Sequence, residues 1–245
     1  MIPSEGQLEQ FREAGFFLTE RMFDDGLLDR IAVDFERLRA EQDAAIRESG
    51  ERDGISLEGR NFIFTVDEKS AAGRELCTSA GLVEMAIKLG GPDLRLYWNQ
   101  AVTKAAKSGA SFSWHQDSGY HPIEPLEYLT VWIPLEDATV ENGTIWVLPG
   151  SHSLGLQEHI ADDRTGDMVG FEGEEEGIPV EVPKGSAAVF SSLLMHRSGP
   201  NTSSKPRRAY VVQYSPTDAI DPTTGKPRGG MLEVARGGKV VGVPD

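Results

Sequence analysis

Apolar positions in the first part of the chain recur at three- and four-residue steps. Leu8 and Phe11, then Leu27, Leu28, Ile31, Phe35 and Leu38, fall on stripes of the kind that bury one helix face. Between the two helices "GFFLTE" reads as a short strand after a glycine stop, and Asp24 or Asp25 is placed to cap the second helix. Further on, "SGERDGISLEGR" reads as loop, "NFIFTV" as a strand, and "SAGLVEMAIKLGG" as a short helix ended by glycines.

After residue 93 the period changes from helical to two. "LRLYWNQAVTK", "SFSWHQ", "EYLTVWIPLE", "GTIWVLPG", "IPVEVP", "SAAVFSSLLMH" and "RRAYVVQYSP" are short β-branched or aromatic runs bounded by Gly, Pro, Asn or Asp. Strands crowded together without helices between them imply a sandwich or a closed barrel. No internal repeat or Gly/Ser/Pro-rich linker separates the two halves, and the helical part is small. The expectation is therefore one domain: a mostly helical flank over 1–92, a β core over 93–216 and a C-terminal segment over 217–245.

Composition narrows the function. Twenty-four basic against 39 acidic residues, a net charge of −15, disfavour nucleic acid and anionic membrane surfaces as partners. Mean hydropathy is −0.33, and no apolar run approaches the roughly 18 residues of a membrane span. One cysteine, Cys77, excludes an internal disulfide and suits a reducing compartment. With no basic-then-apolar leader at the start, the expected location is the cytoplasm.

The candidate chemistry begins at "FSWHQDSGYHP". Residues i and i+2 of a strand share a face, so His115 and Asp117 can reach one point, holding either a surface hydrogen bond or a metal ion. Two later segments bear on that choice. His196 is read as ending an apolar strand, and after the turn-forming "SGPNTSSKP" the strand "RRAYVVQY" is read as running back antiparallel, bringing Arg207 beside His196. "YLTVWIPLEDATVENGTIWVLPGSH" is read as two strands joined by a turn at Glu141-Asn142-Gly143. A His-x-Asp pair with a distant His matches the facial triad of non-haem Fe(II) oxygenases, whose three ligands leave open positions on the metal. An arginine near the second His supplies a fixed fork for a remote carboxylate.

Through "FREAGFFLTERMFDDGLLDRI", "SWHQD", "VWIPLEDATVENGTIWVLPGSH" and "MHRSGPNTSSKPRRAYVVQYSP", the chain resembles the phytanoyl-CoA dioxygenase (PhyH-like) family of 2-oxoglutarate-dependent oxygenases. The resemblance implies a mainly β fold, a double-stranded β-helix (jelly roll, cupin-like) with N-terminal α-helices packed outside. It implies Fe(II), 2-oxoglutarate and O₂ as cofactor and co-substrates, with succinate and CO₂ released as a C–H bond of a small molecule is hydroxylated. His115, Asp117 and His196 match the iron ligands and Arg207 the arginine that pairs with the distal carboxylate. Trp132 matches an aromatic residue near the co-substrate; Thr144, Asn99 and Tyr97 are further candidates to line its pocket. Because Asp117 is present where halogenating relatives carry a small residue, hydroxylation or another oxidative C–H reaction is implied rather than halogenation. A non-catalytic metal-binding barrel and a non-oxidative cupin-type isomerase are the alternatives, and the isomerase has no need of Arg207.

Trp114, His121 and Phe171 are the candidates to meet substrate. His152 is read as a structural turn residue, and His159 as exposed or near the pocket mouth. Strand alternation turns Arg208 away from Arg207. Residues 158–177 hold eight acids and one arginine, and are read as loop, either solvated surface or a lid over the site.

Overall fold

The computed structural model describes residues 2–49, 56–57, 59–163 and 165–242. The helices are α1 (Glu5–Ala14), α2 (Asp25–Ser49), α3 (Val66–Lys69), α4 (Ala71–Cys77), α5 (Ala80–Gly90) and α6 (Asp117–Tyr120). The strands up to the acidic segment are β1 (Phe16–Leu18), β2 (Ser56–Leu57), β3 (Arg60–Phe64), β4 (Leu94–Lys104), β5 (Phe112–His115), β6 (Leu129–Pro134) and β7 (Ile145–Val147). Next come β8 (Ile160–Ala161), β9 (Met168–Val169), β10 (Ile178–Val180), β11 (Ala188–Ser191) and β12 (His196–Ser198). Last are β13 (Arg207–Pro216), β14 (Leu232–Arg236) and β15 (Lys239–Val240).

Two antiparallel sheets carry the fold. The larger runs β1-β11-β6-β13-β4-β14-β15, with β3 also paired to β4 and β2 to β3; the smaller runs β10-β7-β12-β5. The large sheet curls so that one face packs on helices and the other faces the small sheet, the jelly-roll arrangement. Side-chain alternation sorts the two faces. Leu129, Val131 and Ile133 of β6 and Tyr210, Val212 and Tyr214 of β13 meet Leu28, Ile31 and Phe35 of α2 in one core. Trp132, Ala209 and Val211 point the other way, into a second core shared with Ile145, Val147 and Phe190.

Local chemistry sets the element ends. Ser4 and Gln7 close a reciprocal capping box at α1, and Gly15 ends it at φ 82°. Asp24 accepts from the Gly26 amide before α2, and Ser70 caps α4 through the Gly73 amide. Two short helices, α3 and α4, fill the stretch between "NFIFTV" and "SAGLV" that the apolar period left unassigned. Most of "SGERDGISLEGR" lies outside the described residues; its described part contains β2, so it is not loop throughout.

Two strand expectations are corrected. "SAAVFSSLLMH" is not one strand ending at His196. The chain turns at Ser192 and Leu193, with the Leu194 amide bonded to Ser191 O and the Leu193 amide to Ser191 Oγ, and His196 opens β12 in the other sheet. β12 and β13 are not partners either: β12 pairs with β5 and β7, β13 with β4 and β6. The Glu141-Asn142-Gly143 turn does lie between two strands, β6 and β7, which belong to different sheets. In a jelly roll, chain neighbours cross between sheets and pairing is non-local, so a turn signal alone does not name the partner strand.

At the Glu141-Asn142-Gly143 crossing Gly143 has φ +83°, and a Cβ there would lie 2.6 Å from Gly199 O. Gly143→Ala is expected to cost about 1–3 kcal/mol from left-handed strain, read as a fall of several degrees in the thermal unfolding midpoint.

Candidate active site

His115 and His196 sit directly opposite each other on β5 and β12, so their rings share one face of the small sheet, with centroids 4.2 Å apart. Each ring turns Nδ1 onto a backbone carbonyl two residues back, His115 to Ser113 O at 2.7 Å and His196 to Leu194 O at 3.0 Å. These contacts fix the rings and leave both Nε2 atoms free to ligate. Burial, reinforced by the His196 ring, holds the His115 imidazole well below its ordinary pKa, so it is neutral, as a ligand must be.

Asp117 arrives by another route than the expected strand. The chain leaves β5 at Gln116 and turns, and Asp117 opens the single-turn helix α6. The Gln116 side chain donates to Gly155 O and Leu193 O, and its amide to His159 Nε2. Asp117 Oδ1 lies 3.7 Å from His196 Nε2. Its Oδ2 accepts from Thr130 Oγ1 at 2.5 Å and Gln213 Nε2 at 2.9 Å, both on the large sheet. One ligand atom from each of His115, Asp117 and His196 falls within 4.8 Å of the others. Two neutral-capable imidazoles and one carboxylate, each already oriented by a second contact, fit a divalent metal with positions left open.

Two connected chambers meet at this triad. The inner one, about 70 Å³, is lined by His196, Trp132, Phe190 and Arg207. Arg207 is 1% exposed; its guanidinium lies 5.2 Å from the Trp132 ring and donates Nη2 to Gly143 O at 2.9 Å. Its Nε and Nη1 are buried without a partner. Burial lowers its pKa to about 10, which leaves it charged at neutral pH. A buried cation with unpaired nitrogens, Nε and Nη1, is costly unless an anion meets it, and a carboxylate is a fitting acceptor for a guanidinium edge. Arg208 turns to the opposite face, toward Glu36 and Glu136.

The outer chamber, about 400 Å³, has aromatic walls, among them Phe62, Phe64, Trp98, Tyr120 and Tyr128. Gln100 and Gln213 supply polar groups near the triad. Tyr97 and His121 line it as well; Tyr97 Oη reaches His121 O at 3.4 Å, and His121 Nδ1 faces Arg228 Nη2 at 2.9 Å.

Not every candidate reaches these chambers. Asn99 turns to the helix side, where it bonds Asp67 and Tyr210, by plain alternation with Trp98 and Gln100, while a bulge at Tyr97, opposite Gln213 and Tyr214, lets that residue face the chamber. Thr144 is buried with its hydroxyl on Val180 O. Trp114 alternates away from His115 onto the outer face of β5, against Arg197 and the edge of Phe171. Phe171 lies with it, beside a separate surface groove. His152 bonds Arg12 O from the 3-10 turn Ser151–Leu154.

The acidic segment is not all loop. β8 and β9 form a two-stranded hairpin, and the Gly170 amide donates to Trp114 O. Asp167, expected as a solvated charge, is buried and paired with Arg60 at 2.7 Å, and with Thr165 and Gly166 it lines the outer chamber. Thr130, Gln213, Arg60, Asp167 and Lys104 are site neighbours that motif reading missed. For Gln213 a signal existed: it lies six residues from Arg207, on the same strand face.

The class is a double-stranded β-helix protein with a two-histidine, one-carboxylate cluster that could hold a metal ion. The chain belongs to the phytanoyl-CoA dioxygenase (PhyH) family, whose profile matches residues 11–209. It is 32% identical over 143 residues to rat phytanoyl-CoA dioxygenase domain-containing protein 1, across 51% of this chain and 49% of that protein. It is 35% identical over 108 residues to an Arabidopsis thaliana phytanoyl-CoA dioxygenase, across 42% and 38%. The chain thus spans about half the length of the curated relatives it matches, or less. Among solved structures, the epimerase SnoN in complex with Fe3+, alpha ketoglutarate and nogalamycin RO superposes with a TM-score of 0.75 at 21% identity, over 93% and 94% of the two chains. The non-heme monooxygenase ThoJ superposes at 0.71 and 22% identity, over 87% and 78%. Among the described residues, no helix is long and apolar enough to cross a membrane.

Thr130→Val removes one donor from Asp117 while keeping side-chain shape. Loss of such a contact behind a ligand is expected to weaken divalent-metal affinity about 10- to 100-fold, measured by competitive metal titration.

Proposed function

We propose that this chain is an Fe(II)- and 2-oxoglutarate-dependent dioxygenase that hydroxylates a C–H bond of a small organic substrate held in the outer chamber. The observation that carries this reading is buried Arg207, with Nε and Nη1 unpaired, beside the His115–Asp117–His196 triad. A metal-binding barrel without turnover, or a cupin-type isomerase, has no use for such a cation.

His115, Asp117 and His196 would hold the metal on one side. Arg207 would bind the distal carboxylate of 2-oxoglutarate, with Trp132 packed against the guanidinium. Bound there, iron and 2-oxoglutarate would let O₂ act as the oxidant of the C–H bond, one oxygen atom going to the substrate hydroxyl and the other to succinate, with CO₂ released. The chain's own contribution is placement. Thr130 and Gln213 fix the Asp117 carboxylate, and the aromatic walls exclude water and hold substrate over the open side of the triad. His121 and Tyr97 face the same chamber and are the proposed substrate contacts. The hairpin carrying Asp167 closes one side of the chamber and keeps competing reductants from the metal. A single buried cysteine, Cys77, whose thiol burial pushes up to about 12, is compatible with action in the reducing cytoplasm.

Anaerobic Fe(II) with 2-oxoglutarate is expected to give a visible charge-transfer band, lost in His196→Ala. No band from the intact protein at saturating iron would remove the co-substrate assignment. Arg207→Ala deletes hydrogen bonds to a charged group worth roughly 1.5–3 kcal/mol each. Titration of the band should show 2-oxoglutarate binding weakened at least about tenfold (1.4 kcal/mol), with metal affinity little changed.

A further inference from the structure

Three basic side chains stand in a row across β3, β4 and β13, and the last, Arg207, lines the inner chamber. Lys104, the last residue of β4, is the direct cross-strand partner of Arg60 on β3 and of Arg207 on β13. Cross-strand partners point to the same face, and like charges so placed repel. All three are buried, with Arg60 3%, Lys104 0% and Arg207 1% exposed. Asp167 is bonded to Arg60. Glu136, bonded to Arg208, also attracts Arg207 directly across the sheet. Lys104 meets no carboxylate; its Nζ donates to the carbonyls of Ser198 and Gly199 and lies 5.3 Å from the Phe112 ring. Two carbonyls use the two hydrogens of a neutral amine, while the aromatic face tolerates a third.

We propose that Lys104 completes the co-substrate's anion site by accepting a proton when a dicarboxylate pairs with Arg207, so that 2-oxoglutarate enters together with one proton. This rests on the 2-oxoglutarate reading above. Without the anion, the amine faces Arg207 and Arg60, offset among the described residues by Asp167 and, at Arg207, by Glu136. Burial, then Arg207 and Arg60, lowers its pKa to about 6, leaving it neutral at pH 7. A carboxylate against Arg207 cancels the neighbouring charge and raises that value. Lys104 acts through the field at Arg207 rather than by touching the reacting atoms, and is a positioning residue.

The sign follows from linkage. Below about pH 6 the free protein already holds the proton and affinity is flat. As pH rises from about 6 toward the value in the occupied state, each bound 2-oxoglutarate must bring a proton, and affinity falls by up to about tenfold per unit.

The test is calorimetric titration of Mn(II)-loaded protein with 2-oxoglutarate from pH 5.5 to 8.5, in buffers of differing ionisation enthalpy. About one proton is expected to be taken up per ligand near pH 7.5. With 2-oxobutyrate, which has the same 2-oxo acid head but no distal carboxylate, none is expected. Lys104→Met, which keeps length and loses the amine, should bind 2-oxoglutarate without uptake and with pH-independent affinity. If that variant fails to fold, the two ligands on the unmodified protein still decide. Uptake that is equal for both ligands, absent for 2-oxoglutarate or retained in Lys104→Met overturns the role of Lys104 alone. Failure of 2-oxoglutarate to bind at all overturns the co-substrate reading and this inference with it.

Discussion

The site depends on one carboxylate oxygen. Asp117 Oδ2 takes hydrogen bonds from Thr130 and Gln213 on the large sheet, while the two histidines stand on the small one. Those two bonds cross the space between the sheets at the place where a metal needs three ligands at once. Hydrogen bonds to a charged group are among the stronger ones, and here they replace the water a partly buried carboxylate would otherwise demand. The remaining oxygen is left to face His196. Nothing in the short helix α6 would hold Asp117 on target by itself; the opposite sheet does so.

The electrostatics of the molecule invert from outside to inside. A chain of net charge −15 encloses a row of buried basic side chains, Arg60, Lys104 and Arg207, with Asp167 bonded to the first. Local geometry thus overrides net charge in deciding what the interior attracts. The outer chamber, walled by rings such as Phe64, Trp98 and Tyr128, suits apolar surface with a few oriented polar contacts. Its polar groups lie at the rim, at His121 and Asp167, and beside the triad, at Gln100 and Gln213.

Much of this was legible in period-two alternation. Within β13, Arg207, Ala209, Val211 and Gln213 share the cavity face, and Tyr210, Val212 and Tyr214 pack on the helices. The helical stripes of α1 and α2 and the strand bounds of β4 were also readable, because each depends on local apolar spacing. What failed depended on non-local facts. The i, i+2 argument put Asp117 on a strand, yet it stands on a helix turn and converges only through contacts from the far sheet. Asn99 faces the helices by plain alternation with Trp98 and Gln100, while a bulge at Tyr97 breaks the parity that would have paired Tyr97 with Asn99, and no residue type in "LRLYWNQAVTK" announces a bulge. Two adjacent serines broke an apolar run that reads as continuous. Asp167 looked like one acid among eight; its partner, Arg60, lies 107 residues away.

His159 shows how the hairpin that borders the outer chamber is tied to the turn that carries Asp117. Its ring fits against two glycines: a Cβ at Gly119 would lie 2.4 Å from it and one at Gly170 2.5 Å. It also accepts from the Gln116 amide, one residue before Asp117. The stem of the hairpin is therefore locked to the ligand-bearing turn by contacts that tolerate no added carbon, whereas Thr165 and Gly166 at its tip border the chamber. Such a division lets one scaffold be refitted to different guest molecules: the tip is replaceable, and the stem keeps the chemistry aligned while it changes.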